Sequence, residues 1–525
     1  QDNVIYQPTT ETYDIFFWDK GYGYKELAKL QSNYSINLIE GENSVEVHKK
    51  CRKEARTDFY YLIMPNTKIG KGCIVSAYSY VKGEFPDGVV ISGNPATIIK
   101  NVAVISIIGQ DLSEFHHPYN ALIKNQIVPL LFNNSITGKN VSIVLKKEQL
   151  HKAVNVIHGQ VFGVSKKINI AIFGKGLVGS TLIYQLLENS ASILERRKIQ
   201  IHVFAVANSK KILLNKSGVS ANWEQELVTN GDKNVTIVDV INFAKTHHLE
   251  NLIAVDNTAS ADFVTQYIPL IEAGFDLVSC NKIANTLSFD FYKKLRSKLK
   301  EYKKQYLYET NVGAGLPLID TIRLLHESGE NITRIRGVFS GTLSYLFNTF
   351  SSQEISFSTV LQDAISKGFT EPDPRDDLAG VDVARKLLIL ARELDLENEL
   401  HEVDVQNLIP ENLRNGTVTD FINNLALLNG EYQTLKNNQK PNHVLRYIGE
   451  LSGDLSKEKG ILEVKLVSVL QNSPLGSLKG SDAIFEIYTE SYGTQPIVIQ
   501  GAGAGAKVTA RGVFGDILRL AKHNN

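Results

Sequence analysis

From Ile168 the chain alternates short apolar runs with longer amphipathic stretches. The runs 168–173, 200–207, 252–255 and 275–279 read as buried strands, and 180–187 reads as a helix. Strands covered on both faces are apolar throughout, and their alternation with helices predicts a parallel α/β sheet. Beyond about Asp320 the pattern changes to helices and longer strands. A Gly-rich run, 501–505, precedes a last helix near 513–521. Upstream, 101–163 reads strand, helix, strand, strand, helix, with strands at 102–108, 127–133 and 141–146 and a closing helix at 147–158. Residues 65–81 carry the six-residue period of a left-handed β-helix. Only a short piece of such a stack is visible, and stacked repeats need several units to bury a core. The segments expected are therefore 1–100, 101–165, 166–320, 321–495 and 496–525, the last returning to the third. Lys166-Lys167 forms a polar seam between the second and third.

The length of 525 residues requires several cores. Lys+Arg and Asp+Glu both number 56, so no net field favours nucleic acid or an anionic membrane. Cys51, Cys73 and Cys280 lack metal or disulfide spacing, which fits a reducing cytoplasm. No apolar run has bilayer length and no signal-peptide pattern opens the sequence. The sequence opens at Gln1 and its one methionine is Met64, so the natural start is expected to be missing or processed away.

The strand ending at Phe173 runs into Gly174-Lys-Gly176-Leu177-Val178-Gly179 and then the helix. This is the dinucleotide fingerprint in its strand–turn–helix setting. Gly174 serves the tight turn, Gly176 the approach of a pyrophosphate, Gly179 the packing of helix on strand. Amide donors at the helix start face the phosphates. The second strand ends Ala207-Asn208-Ser209-Lys210-Lys211, with no carboxylate to repel a ribose 2′-phosphate. That favours NADP(H) over NAD(H), although both lysines also read as solvated loop residues. Asp256-Asn257-Thr258-Ala259-Ser260 and Ser279-Cys280-Asn281-Lys282 end later strands, where ligands of open sheets lie; Cys280 reads as a small buried residue.

The densest chemistry lies in 368–386. Glu371, Asp373, Asp376 and Asp377 crowd a turn-rich loop before a helix on which Asp382 and Lys386 stand i, i+4. By itself this is an N-capped helix with one ion pair. Together with Lys282 and the fingerprint it describes a site that binds a small zwitterion and needs a proton donor.

Tyr308-Glu-Thr-Asn-Val-Gly-Ala-Gly-Leu-Pro317, Gly337-Val-Phe-Ser-Gly-Thr-Leu-Ser-Tyr345, Asn281-Lys-Ile-Ala-Asn285, the acidic loop and Gly501–Gly505 occur in one order. In these segments the chain, from about Ile168 onward, resembles homoserine dehydrogenase, the dehydrogenase half of bifunctional aspartokinase–homoserine dehydrogenases. The resemblance implies reversible interconversion of L-homoserine and L-aspartate 4-semialdehyde with NADP(H), in threonine and methionine biosynthesis. It implies Lys386 as proton donor, Lys282 as its partner, and Gly368, Glu371, Asp377 and Asp382 around the substrate. It places Phe173, Gly174, Gly176, Leu177, Val178, Gly179, Asn208, Thr258, Ser260, Lys282 and Gly505 around the cofactor. Glu309 with Val312, Ala314 and Leu316 resembles the family's monovalent cation site, usually assigned to sodium. A hard cation suits carbonyl oxygens aimed inward by a Gly-rich turn. A homo-oligomer is the expected assembly.

Asn101–Gly109, Gly138–Val144 and Ala153–His158 resemble an ACT module of aspartokinases. Threonine binding and a purely scaffolding role both fit it, since the kinase catalytic domain is absent from this sequence. Val89–Lys100 resembles the ending of hexapeptide-repeat acyltransferases. His48, the one histidine available there, stands in no family motif, and His116-His117 read as loop residues. A natural fusion and an artificial join near Lys100 both fit. The fold class expected is thus α/β: a Rossmann domain with an α+β substrate domain, preceded by a βαββα module and a short β-helix-like fragment.

Overall fold

The computed structural model describes strands within 14–99, and then residues 101–108, 116–134, 140–161, 165–233 and 235–522. The expectations for His48, Cys51, Met64 and Cys73 lie outside the described residues, as do the side chains of His116 and His117. Contacts divide the chain into two units, 1–116 with 127–154, and 117–126 with 155–525.

In the first unit, Asp14–Asp19 pairs in parallel with Ile36–Glu40 and with Tyr60–Ile63. Lys68–Ile69 pairs with Glu84–Phe85, and Ile74–Val75 with the start of Val90–Gly93, all parallel. The six-residue period read in 65–81 covers Lys68–Ile69 and Ile74–Val75; the residues between these strands lie outside the described set. Next comes an antiparallel three-stranded sheet in the order Val102–Ile108, Asn140–Lys146, Leu131–Asn134. Its buried positions, Val141, Ile143 and Leu145, alternate along the central strand as one-faced burial requires; Val144 is buried as well.

The helices of the 101–165 segment fall only in part with its strands. Residues 117–126 and 155–161 group with the larger unit, and 127–154 with the smaller. The reason is polar as well as apolar. Asn125 exchanges hydrogen bonds with Asn251, Nδ2 to Oδ1 at 3.3 Å and Asn251 N–H to Oδ1 at 2.7 Å. Gln126 Nε2 donates to the Glu272 carbonyl at 3.1 Å.

The nucleotide half is a six-stranded sheet in the order Ile212–Leu214, Ile199–Ala207, Lys166–Phe173, Leu252–Asp256, Phe275–Ser279, Tyr306–Leu307. All neighbours are parallel except the first pair. The order reverses around Lys166–Phe173, the switch point of such sheets. The helix after the fingerprint runs Leu177–Arg197, longer than the apolar pattern suggested, because its outer half is polar. The closing helix, Ala506–Lys522, buries Ala510, Val513, Phe514 and Ile517 in the same core as Ile170, Ile172 and Leu182.

The other half is an antiparallel sheet, Ile461–Leu470, His443–Ser452, Ile332–Val338, Ala483–Thr489, Ile497–Gly501, with Asp404–Val405 added in parallel at one edge. Helices Gly341–Ser352, Phe357–Ser366 and Val381–Arg392 bury their apolar stripes in one core with this sheet's Ile335, Tyr447 and Phe485. Phe357 stacks on Tyr432 with ring centroids 3.8 Å apart.

Candidate active site

The fingerprint turn is shaped by what glycine lacks. Gly174 sits at φ +90, and a Cβ there would lie 2.7 Å from the Asn257 carbonyl carbon. A Cβ on Gly179 would lie 1.9 Å from the Gly174 oxygen. Gly176 differs: nothing stands within 4 Å of where its Cβ would be. The helix that follows has no side-chain cap and no acid in its first turn. Its first amides are therefore left for an anion, and Leu177 beside them is exposed. Phe173 is buried against Phe263, and Val178 packs beneath the turn. These residues fit a dinucleotide pyrophosphate.

The loops around this turn are fixed by a buried polar group. Asp256 accepts from Thr258 N at 2.7 Å, Tyr267 Oη at 2.7 Å and Asn281 Nδ2 at 3.0 Å. Burial pushes its carboxyl upward against those hydrogen bonds. Thr258 Oγ1 accepts from Ser260 N, and Ser260 caps the short helix Ala261–Val264. Cys280 lies near Asn257, Sγ to Oδ1 at 3.5 Å, and burial pushes its thiol up to about 11. A thiol held that high is no nucleophile at neutral pH, although Cys280 is half-buried rather than the fully buried residue read from sequence.

Asn208 is more committed than its position suggested. Its Oδ1 accepts from the amides of Lys210 and Lys211 at 2.7 and 2.8 Å, an Asx turn. Lys211 Nζ donates to the Val228 carbonyl. Lys210 is exposed. Gly505, at φ +119, stands exposed just before the closing helix.

Lys282 follows the strand Phe275–Ser279, and Asp382 and Lys386 stand on Val381–Arg392. That helix begins where it does because Gly380 takes φ +74, with Tyr447 Oη 2.2 Å from where its Cβ would be. Asp382 thereby falls in the first turn, where a carboxylate opposes the helix dipole favourably. One of its oxygens meets Lys282 Nζ at 3.3 Å and the other meets Lys386 Nζ at 2.8 Å. Lys386 also donates to the Phe339 carbonyl at 2.8 Å. Desolvation by its neighbours would raise the carboxyl of Asp382, whose side chain stays 49% exposed, but the two ammonium groups outweigh it and hold it far below the usual range. One anion thus spaces two cations.

The acidic loop sorts into different tasks. Asp373 caps Pro374–Leu378 and grips Arg375 through both oxygens. Asp377 accepts from the Glu371 amide at 2.8 Å, and burial, with Glu371 and Asp382 nearby, raises its carboxyl. The Glu371 side chain and Gly368, at φ +67, are exposed.

The Glu309 carboxylate is occupied as well. It accepts from Ile319 N at 2.8 Å and Asp320 N at 3.0 Å, holding the start of Leu318–Glu327. Burial, then Asp320 and Asp516, push this carboxyl up. Arg519 stands 3.8 Å away and pairs with Asp320 and Asp516. Gly313 and Ala314 both have positive φ, at 78 and 54. The Leu316 carbonyl accepts from Leu318 N. No group of three His, Cys, Asp or Glu side chains poised for a metal occurs among the described residues, so a cation here fits only if the turn's backbone carbonyls hold it.

The structure thus brings Lys282, Asp382 and Lys386 together and groups Glu371 with Asp377. Residues to which the sequence reading gave no role complete the surroundings: the Phe339 carbonyl, Tyr267 beneath Asp256, and Arg385 and Thr286 beside Lys282. Arg385 had one signal, its place next to Lys386.

Family models for the homoserine dehydrogenase NAD-binding domain and for homoserine dehydrogenase match residues 174–309 and 317–518. The chloroplastic bifunctional aspartokinase/homoserine dehydrogenase 1 of Arabidopsis thaliana is 37% identical over 81% of this chain and 47% of its own. The chain spans about half the length of the curated relatives it matches. Among solved structures, a Candida auris protein of unknown function is 33% identical, with a TM-score of 0.61 over 68% of this chain and 99% of its own. A hyperthermophilic archaeal homoserine dehydrogenase in complex with NADPH shares the fold, at 22% identity and a TM-score of 0.52 over 68% of this chain and 98% of its own. By the motifs and both domain models, this chain belongs to the homoserine dehydrogenase family.

Proposed function

We propose that the chain interconverts L-homoserine and L-aspartate 4-semialdehyde with NADP(H). The observation that carries this is the single carboxylate, Asp382, shared by two lysines on the two halves of the molecule. The bound nicotinamide supplies or takes the hydride; the other tasks fall to side chains. Reduction turns an aldehyde oxygen into an alkoxide, and a positioned ammonium both stabilises that charge and donates the proton. Lys386, held by Asp382 and the Phe339 carbonyl, is the donor. Lys282 is its partner on the nicotinamide side. Since Asp382 already serves both lysines, Glu371 is the acid left to hold the substrate ammonium, with Asp377 fixing the Glu371 backbone and Gly368 leaving the loop open.

For the cofactor, the turn 173–179 holds the pyrophosphate, and Thr258, Ser260 and Gly505 border it. The absence of an acid after Ala207 and the exposed Lys210 support NADP(H) over NAD(H). The NADPH bound in the archaeal structure is consistent with this choice. A monovalent cation, sodium by the family resemblance, is assigned to the turn of Val312, Ala314 and Leu316 beside Glu309. Threonine binding by 101–165 and a homo-oligomer rest on the resemblance alone.

The test is NADPH oxidation, followed by absorbance, with aspartate 4-semialdehyde as substrate. Saturable turnover is expected. A folded protein that binds NADPH and never turns over would sink the reading.

A further inference from the structure

Lys282 is held from the catalytic helix at two points, and only one of them is its ammonium group. Arg385 lies between Asp382 and Lys386 on the helix Val381–Arg392. Its Nη1 donates to Thr286 Oγ1 at 2.9 Å. Thr286 Oγ1 lies 3.2 Å from the Lys282 carbonyl and 3.3 Å from the Ile283 carbonyl, the two acceptors for its proton. Thr286 is 5% exposed, so water competes little for these bonds. The hydroxyl has one proton and two lone pairs: it accepts from the guanidinium and shares its proton between the carbonyls of Lys282 and Ile283, the backbone that carries Lys282. A hydroxyl that accepts from a cation becomes a better donor, so the two bonds reinforce each other.

We infer that Arg385 and Thr286 form a positioning relay that sets the backbone of Lys282 from the helix bearing Lys386. Lys282 is then fixed at its tip by Asp382, 3.3 Å from Nζ, and at its root by this relay. A lysine has four rotatable side-chain bonds, and the ion pair alone leaves the root free to shift. Both fixings come from one helix. The separation of the two ammonium groups is thereby set by helix geometry rather than by a loop alone. A second tie from the same helix runs from Arg392 Nη1 to the Asn285 carbonyl at 2.8 Å.

This rests on the dehydrogenase reading for its kinetic arm only. Displacing a catalytic group by about an ångström costs on the order of tenfold to a hundredfold in rate. Arg385→Met and Thr286→Val are each expected to lower kcat by about tenfold or more while both KM values stay within about twofold. The double variant is expected to be no slower than the slower single one, because each breaks the same chain. Arg385→Lys and Thr286→Ser, which keep a donor and a hydroxyl, should recover most of the rate. Thermal melts check that each variant folds. Thr286→Val is nearly isosteric, so it serves if Arg385→Met does not fold.

The second arm needs no turnover. Acetylation of lysines by acetic anhydride, read by mass spectrometry, should modify Lys282 several-fold faster in either variant than in the wild type. The exposed Lys210 should react at an unchanged rate. If the wild type shows no turnover, the dehydrogenase reading fails and the labelling still judges the relay. Single variants whose losses multiply in the double, wild-type kcat in Arg385→Met, or unchanged Lys282 labelling would each overturn it.

Discussion

Two charged clusters in this molecule are mirror images. At one, two lysines flank a single carboxylate, Asp382, whose protonation is strongly suppressed. At the other, three acids, Glu309, Asp320 and Asp516, share one Arg519, and the buried carboxyls are pushed upward. The first is balanced toward positive charge and suits a developing alkoxide. The second is short of positive charge and suits a cation. Burial penalises both; what differs is whether opposite charge outnumbers it.

The comparison breaks most sharply at Lys386. Lys386→Ala should fold, because it removes one ion pair and one bond to a carbonyl rather than core volume. Steady-state NADPH oxidation should fall by a factor on the order of a hundred or more. Near-normal turnover would take the proton donor elsewhere.

The glycine turn offers a contrast without side-chain charge. Gly176→Ala places a methyl in open space, so the melting temperature should hold while KM for NADPH rises about tenfold, as the pyrophosphate is pushed from the backbone. Gly179→Ala drives its methyl into the Gly174 oxygen and should lower both cofactor affinity and the melting temperature. Equal behaviour of the two variants would refute this account of the turn.

Cofactor choice should move less. Asn208→Asp keeps the Asx turn, since an Asp oxygen accepts the same two amides. It adds a negative charge at the strand end. The ratio of kcat/KM for NADPH to that for NADH should fall several-fold, and an unchanged ratio would remove this strand end from ribose recognition.

The smallest effect is on stability, and its sign separates the two clusters. A carboxyl raised in the fold binds its proton more tightly folded than unfolded. Its contribution is complete below the unfolded value of about 4 and is lost as pH rises through the folded value, about 6 for Asp516. Asp382 is depressed, so its contribution is present above the unfolded value and lost only in strong acid. Between pH 5 and pH 8 the melting temperature in choline chloride should therefore decline by a few degrees through the acid cluster (about 1 kcal/mol moves a domain of this size by a few degrees). Sodium chloride at equal ionic strength should restore it if a cation sits beside Glu309. Identical curves in the two salts would remove the cation from the site.

What the sequence disclosed follows from distance along the chain. The fingerprint is legible because its strand, turn and helix are contiguous and its chemistry is that of the backbone. The i, i+4 spacing of Asp382 and Lys386 was readable for the same reason. The bond from Arg385 to Thr286 joins residues 99 apart, and no local pattern marks it. Nor did any pattern say that Glu309 would meet Asp516 and Arg519 of the closing helix, or that Asn125 and Gln126 would draw their helix into the larger unit. Asn208 was read as a cofactor contact, and nothing local to the sequence showed that its side chain answers to the turn's own amides first.

The 1.9 Å between the Gly174 oxygen and the place where a Gly179 Cβ would stand has a consequence for how this sequence can change over time. The two positions cannot vary one after the other. A side chain at Gly179 demands a new path for the backbone at Gly174, whose own φ of +90 already excludes most residues. Any lineage that loses one glycine passes through a broken turn before it can repair the other. Lys175 and Leu177, between them, stand outside this lock, one half-exposed and the other exposed, so substitutions in this loop should accumulate there first.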